Sequence, residues 1–98
     1  MNIGKNLLWN ELKPAVLSVR KTEKSNTFAV GLTQNQVLAK HKTATPTLLT
    51  VLQGEILFRI NGESIRLCTL DAFEIPVNQE HEVIGVEKEN IFILFQEK

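Results

Sequence analysis

Residues 56–67 of the chain read ILFRINGESIRL, two apolar runs joined by the pair Asn61-Gly62. An Asn-Gly pair between apolar runs is typical of a two-residue β-hairpin, because both central residues of a type I′ turn need a positive φ. After the turn, the segment Ser64–Leu67 alternates polar and apolar side chains, as a strand with one buried face does. The sequence therefore predicts a β-hairpin near the middle of the chain.

Similar short apolar runs continue in both directions from this hairpin and are separated by turn residues. They lie at 16–20, 27–32, 37–41, 47–52, 73–77, 83–84 and 91–95. About eight short strands at this spacing are typical of an all-β sandwich or barrel. Four phenylalanines of these runs are expected to lie in the core: Phe58, Phe73, Phe92 and Phe95. Only Leu7–Leu12 has helical character, as one helical turn or an extended arm that Pro14 ends.

The composition is that of one small globular domain covering residues 1–98, with 43% apolar and 22% charged residues. Eleven basic side chains balance eleven acidic ones, so the formal net charge is zero. A neutral chain has no electrostatic reason to bind nucleic acid or an anionic membrane, and neither is expected as a partner. A domain of this size buries only about 60–65% of its unfolded surface. We therefore expect a homodimer, with Leu7, Leu8 and Trp9 as candidate contacts.

The single cysteine, Cys68, cannot form an internal disulfide, which favours a reducing compartment. Because its neighbours Ile65 and Leu67 are apolar, we expect a small buried thiol rather than a reactive one. The N-terminal residues lack the apolar run of a signal peptide, and no segment has the ~18 apolar residues of a membrane span. These features predict a soluble, cytoplasmic protein.

The two histidines are the strongest candidates for a functional site. His41 ends one predicted strand, and His81 follows a loop that begins at Pro76. Neutral imidazole can donate and accept hydrogen bonds, can bind metals and titrates near neutrality. Lys40 and Lys42 flank His41 and are expected to point away from it as solvated edge charges, because side chains alternate along a strand.

The order of residues around His41 resembles the first motif of the cupin superfamily, G-x5-H-x-H-x(3,4)-E-x6-G. His41 matches the first histidine of that motif, and Gly54 matches its closing glycine. The positions of the opening glycine, the second histidine and the glutamate are occupied, in that order, by Asn35, Thr43 and Thr47. Asparagine suits the opening position because it tolerates the left-handed backbone conformation.

The region around His81 is similar to the second cupin motif, G-x5-P-x-G-x2-H-x3-N. Pro76 and His81 match its proline and its histidine. The two glycine positions and the final asparagine position hold, in that order, Leu70, Asn78 and Gly85. With the flanking strands, the resemblance covers about residues 28–95, which is most of the chain.

The resemblance implies a small jelly-roll barrel, the double-stranded β-helix of RmlC-like cupins, with little or no helix. It implies that His41 and His81 face the barrel interior, while Glu82, next to His81, points away by strand alternation. The family's metal site uses three histidines and one glutamate, and only these two histidines occupy ligand positions here. Two imidazoles would hold a divalent metal such as zinc, nickel, iron or manganese weakly, because a catalytic zinc normally keeps three protein ligands.

Three functions remain open from the sequence. The first is the binding of a small polar molecule in the barrel mouth, without strong catalysis, by His41, Thr43, Thr47 and His81. The second is a metal-dependent enzyme of the dioxygenase or isomerase kind, with His41 and His81 as metal ligands. The third is a dimerisation module. No catalytic residue is assigned, because no serine or cysteine can be placed beside a histidine from its spacing.

Overall fold

The computed structural model describes residues 1–98 and contains nine β-strands and one four-residue helix. The strands are β1 (Ala15–Lys21), β2 (Ser25–Thr33), β3 (Val37–His41), β4 (Thr47–Gln53), β5 (Glu55–Ile60), β6 (Glu63–Cys68), β7 (Ala72–Ile75), β8 (His81–Gly85) and β9 (Glu89–Glu97). The helix α1 spans Ile3–Asn6. Each apolar run of the sequence contributes to one strand, which confirms the prediction of an all-β fold.

Two antiparallel sheets enclose one core. The larger sheet has the strand order β1-β2-β9-β4-β7, and the smaller has the order β3-β8-β5-β6. Because consecutive strands often belong to different sheets, the chain crosses repeatedly between them, as in a jelly roll. Twelve buried apolar residues contributed by both sheets form a single cluster, with Phe58 and Phe92 as its largest members. Strands such as β8 alternate buried and half-buried residues because one face of the sheet lines this core.

The central hairpin forms as predicted. Strands β5 and β6 pair in register, with Ile60 opposite Glu63, so the turn contains only Asn61 and Gly62. Their φ values are 51° and 76°, the left-handed conformation that a type I′ turn requires at both positions.

The four positions that match motif glycines all have a left-handed backbone. Besides Gly54, with φ of 80°, these are Asn35, Leu70 and Asn78, with φ of 65°, 75° and 60°. The backbone is therefore left-handed at each of these positions, even where another residue stands in place of glycine. Leucine is the costly replacement, because a branched side chain in this region is sterically disfavoured.

Hydrogen bonds hold Leu70 in this unfavourable conformation. Its amide donates to the Val51 carbonyl over 2.8 Å, and the Asp71 amide donates to the Cys68 carbonyl over 2.9 Å. The Cys68 amide donates in turn to the Asp71 carboxylate over 2.7 Å. The Asp71 side chain thus closes the turn through the amide three residues earlier, and the turn ties β6 to β4 across the sheets.

The N-terminal segment packs against the outer face of the larger sheet. The helix α1 lies earlier than the predicted turn at residues 7–12, which is an extended arm instead. Leu7 is buried with Ala15 and Ile91, and Trp9 packs beside them. Gly31 makes room for this ring, since a Cβ there would lie 3.0 Å from a Trp9 ring carbon. Leu7 and Trp9 are thus used within the chain, whereas Leu8 is exposed.

Asn90 joins the two sheets through a fully buried amide. Its Oδ1 accepts hydrogen bonds from the Glu55 and Glu87 amides, each over 3.0 Å. Its Nδ2 donates to the carbonyls of Leu32, over 3.0 Å, and Glu87, over 2.9 Å. The amide lies against Gly85, where a Cβ would stand 2.7 Å from Nδ2. All four hydrogen-bonding capacities of the side chain are therefore used at the junction of β2, β5 and β9.

Two expectations about burial are wrong, and strand alternation explains both. Phe95 is 44% exposed, because Phe92 and Leu94 take the inward positions of β9. Cys68 is exposed, because its neighbour Leu67 faces the core and Cys68 lies opposite Glu55 on the outer face. The thiol donates to the Glu55 carboxylate over 3.3 Å, and this bond raises the pKa of the thiol above its ordinary value.

No helix of the structure has the length and apolar character that spanning a lipid bilayer requires.

Candidate functional site

The two histidines meet face to edge inside the smaller sheet. His41 and His81 are directly paired residues of β3 and β8, so their side chains lie on the same face. The ring centroids are 4.3 Å apart, with an interplanar angle of 62°. On its other side the His81 ring stacks on Phe58, with centroids 5.0 Å apart. Sheet register and an aromatic neighbour from the core thus position the pair.

Backbone carbonyls select the same tautomer for both rings. His41 Nδ1 lies 2.9 Å from the Ala39 carbonyl oxygen, and His81 Nδ1 lies 3.2 Å from that of Gln79. A carbonyl can only accept, so Nδ1 carries the proton and Nε2 is the acceptor of each neutral ring. His81 is almost fully buried, and burial lowers the pKa of His81 below its ordinary value. Its ring is therefore neutral at pH 7.

Three of the four predicted site residues share one cavity. This cavity, which we call the mouth cavity, has a volume of about 460 Å³ and opens between β3 and the inner face of the larger sheet. His41, Thr43 and Thr47 supply polar groups to it. Its walls are mainly apolar and consist of Val16, Phe28, Val30, Leu38, Ala39, Ile75 and Leu94.

His81 lies behind His41 and does not line the mouth cavity. It borders instead a neighbouring open cleft of about 540 Å³, together with the hairpin turn and Glu80. The sequence predicts one pocket for all four residues, whereas the structure divides them between two neighbouring openings. The wall residues Phe28 and Leu38 were not among the predicted site residues, since an apolar strand residue looks alike in sequence whether it lines a cavity or a solid core.

The two threonine hydroxyls differ in their hydrogen bonding. Thr47 Oγ1 donates to the Thr45 carbonyl over 3.1 Å and is satisfied within its own turn. Thr43 is 9% exposed, and its Oγ1 is buried without any hydrogen-bond partner. An unpaired buried hydroxyl costs about 1–3 kcal/mol relative to a satisfied one. Thr43 is thus the one buried polar side chain of the mouth cavity without a hydrogen-bond partner.

Lys40 and Lys42 line the mouth cavity as well, although alternation predicts that they point away from His41. The register of β3 against β8 shifts between Leu38 and His41, so β3 carries one extra residue there. Such a bulge breaks the alternation and redirects the side chains beside it. Both lysines are exposed, as expected, and they stand at the rim of the cavity.

The residues present do not fit the metal site that the fold family implies. Beyond His41 and His81, no third His, Cys, Asp or Glu lies close enough to complete a metal-binding group. Glu82 points away from the interior, as predicted, and pairs with Arg59 on the outer face over 3.7 Å. Thr43 and Thr47 occupy the other two ligand positions of the motif, and a neutral hydroxyl lacks the charge or basicity of carboxylate and imidazole.

Comparison with known proteins identifies the fold. No protein-family model and no curated protein sequence matches the chain. Among solved structures, KdgF from Halomonas sp. aligns with a TM-score of 0.85 at 23% identity, covering 100% of this chain and 91% of that one. A Klebsiella pneumoniae protein with a double-stranded β-helix domain aligns with a TM-score of 0.89 at 19% identity, over 99% and 87%. A cupin superfamily protein from Desulfitobacterium hafniense gives 0.86 at 13% identity, over 99% and 88%. The chain therefore has the cupin fold, a small RmlC-like double-stranded β-helix.

Proposed function

We propose that this cupin-fold protein binds a small polar molecule in the mouth cavity without strong catalysis. The observation that carries the proposal is the mouth cavity itself, in which seven apolar residues are combined with a few polar ones and whose wall includes Thr43, with its buried and unpartnered hydroxyl. A cavity with apolar walls and a few convergent polar groups is typical of small-molecule sites, and about 460 Å³ lies within their usual range of ~300–1,000 Å³.

The polar groups offered to a ligand are few and complementary. The Thr43 hydroxyl can donate or accept, and a neutral His41 ring carries an acceptor at Nε2. The histidine rings contact each other and Phe58 rather than a nucleophilic side chain. This arrangement supports recognition of a ligand more than activation of an attacking group.

The proposal is tested by a fragment screen monitored by amide chemical shifts in NMR, on the wild type and on Thr43→Val. Valine has nearly the same shape but no hydroxyl, so ligands of the mouth cavity should bind about tenfold more weakly to this variant. Thr50→Val is the matched control, because Thr50 lies on β4, on the face of the larger sheet that points away from the mouth cavity. Ligands that shift no residue of the mouth cavity, or that bind the Thr43 variant equally well, would contradict the proposal.

A metal-dependent enzyme is the second candidate, and the tautomers of the histidines favour it. With each Nδ1–H bound to a carbonyl, both Nε2 lone pairs are free to bind a metal, as in many metal sites. We propose at most weak binding of a divalent metal such as zinc, nickel, iron or manganese, because two imidazoles fall short of three protein ligands. Elemental analysis of chelator-free protein and of the double variant His41→Ala/His81→Ala tests this candidate. Tight, stoichiometric metal that the double variant retains would rule out this pair as its site.

Self-association is a further proposal, and the outer face of the larger sheet supports it. Leu48 and Phe95 are opposite each other on β4 and β9 and are 40% and 44% exposed. A homodimer formed through this face would cover both side chains. Light scattering at micromolar concentration should give twice the mass of the chain for the wild type and the single mass for Phe95→Lys. A monomeric wild type would contradict the proposal.

A further inference from the structure

Building on the proposed function, we propose that the ligand of the mouth cavity is a small monocarboxylate with an apolar body. The carboxylate would lie at the rim, near Lys40, Lys42 and the Thr43 hydroxyl, and the apolar body would lie between the walls. Such a ligand would match the positive charge of the rim, the apolar walls and the unsatisfied hydroxyl.

The charges that line the mouth cavity all have one sign. Lys40 and Lys42 stand at its rim, and no aspartate or glutamate lines it. Neither ammonium group takes part in an ion pair, since both ion pairs of the structure involve arginine, namely Arg59 and Arg66. Because the chain as a whole is neutral, this excess of positive charge is a local feature of the cavity.

The other two large openings of the surface lack this asymmetry. In the cleft beside His81, the basic residues Lys40 and Arg59 are matched by three acidic ones, namely Glu63, Glu80 and Glu82. The largest opening, about 1,120 Å³, combines Lys88 with three glutamates, namely Glu11, Glu87 and Glu89. Of these three openings, only the mouth cavity is lined by basic residues without acidic ones.

The walls of the mouth cavity require an apolar partner. Seven of its 13 lining residues are hydrophobic, and Phe28, Leu38 and Ile75 among them come from three different strands. A fully hydroxylated ligand such as a free sugar would bury hydroxyl groups against these walls without partners, at a cost in free energy. A short aliphatic or aromatic tail would instead gain the burial energy of its apolar surface.

A carboxylate would also satisfy Thr43. After a rotation about its Cα–Cβ bond, the buried hydroxyl could donate to a carboxylate oxygen, and such a charge-assisted bond is about twice as strong as one to a neutral acceptor. The same hydroxyl could bind a neutral amide, so Thr43 alone does not select the anion. Selection would come from the two lysines, and it should weaken with salt because both are exposed.

The test uses matched ligands that differ only in the head group: hexanoate with hexanamide and hexylamine, and benzoate with benzamide. Titrations followed by amide chemical shifts should give at least tenfold tighter binding of each carboxylate than of its amide at low ionic strength, and no binding of the amine. In Lys40→Gln/Lys42→Gln this preference should fall several-fold. The control Lys13→Gln/Lys88→Gln removes the same charge from exposed positions outside the mouth cavity. This control variant should keep the preference for carboxylates.

The outcomes separate this inference from the proposed function. If the amides bind as tightly as the carboxylates and Thr43→Val weakens both, the carboxylate inference is wrong while small-molecule binding stands. If the control variant loses the preference for carboxylates to the same extent, net charge rather than the rim lysines selects the anion, and the inference is also wrong. If neither these ligands nor the fragment screen shifts any residue of the mouth cavity, the proposed function itself fails.

Discussion

The Thr43 hydroxyl has opposite consequences for binding and for stability. In the ligand-free protein it is buried without a partner. Thr43→Val removes an unsatisfied group and keeps the volume, so we expect the free energy of unfolding to rise by about 1 kcal/mol. Urea unfolding monitored by Trp9 fluorescence measures this change. Loss of stability in Thr43→Val would show that the hydroxyl has a partner in solution, whereas Thr50→Val should change stability little.

Leu70 offers a second test at a single residue. It is 82% exposed and has φ of 75°, so its side chain contributes little packing while its backbone is strained. Asparagine tolerates this conformation better, and Leu70→Asn should raise the free energy of unfolding by about 1 kcal/mol. Leu12→Asn is the control, because Leu12 is 95% exposed and its φ is not positive. Equal effects of both substitutions would attribute the gain to reduced surface hydrophobicity rather than to relief of backbone strain.

At the scale of the strands, Asn90 holds together elements that are distant in sequence. Asn90→Asp keeps the two hydrogen bonds that Oδ1 accepts but loses both donors, leaving the Leu32 carbonyl without its side-chain partner. It also places an acid in a fully buried position. We expect a loss of about 3 kcal/mol or more in the free energy of unfolding. Gln34→Glu makes the same chemical change at an exposed position, and a similar loss there would contradict the role given to Asn90.

Strand alternation and its interruptions also belong to this scale. Alternation correctly predicts that Glu82, the neighbour of His81, lies on the outer face. Along β3 the bulge interrupts alternation, because it adds one residue that has no partner in β8. A bulge depends on how two strands meet, so the sequence of one strand does not reveal it.

At the scale of the whole molecule, the buried His81 links stability to pH. Burial lowers the pKa of His81 in the folded state below its ordinary value of 6.5, so the unfolded chain binds the proton more readily. The contribution of neutral His81 is therefore complete above pH 6.5 and is lost as the pH falls from there towards the lower folded pKa. Urea unfolding between about pH 5.5 and 7.5, a range above the ordinary carboxyl pKa values, should show stability that rises with pH.

The variant His81→Asn separates this histidine from the other titrating groups. It should flatten the rise in stability with pH, even if the variant is less stable at every pH. An unchanged slope would show that His81 does not carry the dependence. The NMR titration of the His81 ring should independently give a pKa below 6.5.

The sequence by itself determined the elements of this protein: the strand periodicity, the Asn61-Gly62 hairpin and the all-β fold. It also identified Asn35 as a residue suited to a left-handed backbone, whereas the left-handed backbone at Leu70 was not predicted. Burial of Phe95 and Cys68 was predicted wrongly, because an apolar or small residue at the end of a strand fits either face until the register is known.

Only the tertiary structure decided which groups share a cavity and which remain without partners. The mouth cavity collects side chains from six strands and one loop, and its unpartnered Thr43 hydroxyl and unpaired rim lysines become visible only when these elements are packed. The same holds for the four hydrogen bonds of Asn90, whose partner Leu32 is 58 residues away along the chain. The physical reason is that strand formation follows local side-chain patterns, whereas the satisfaction of a polar group depends on atoms that only the folded chain brings together.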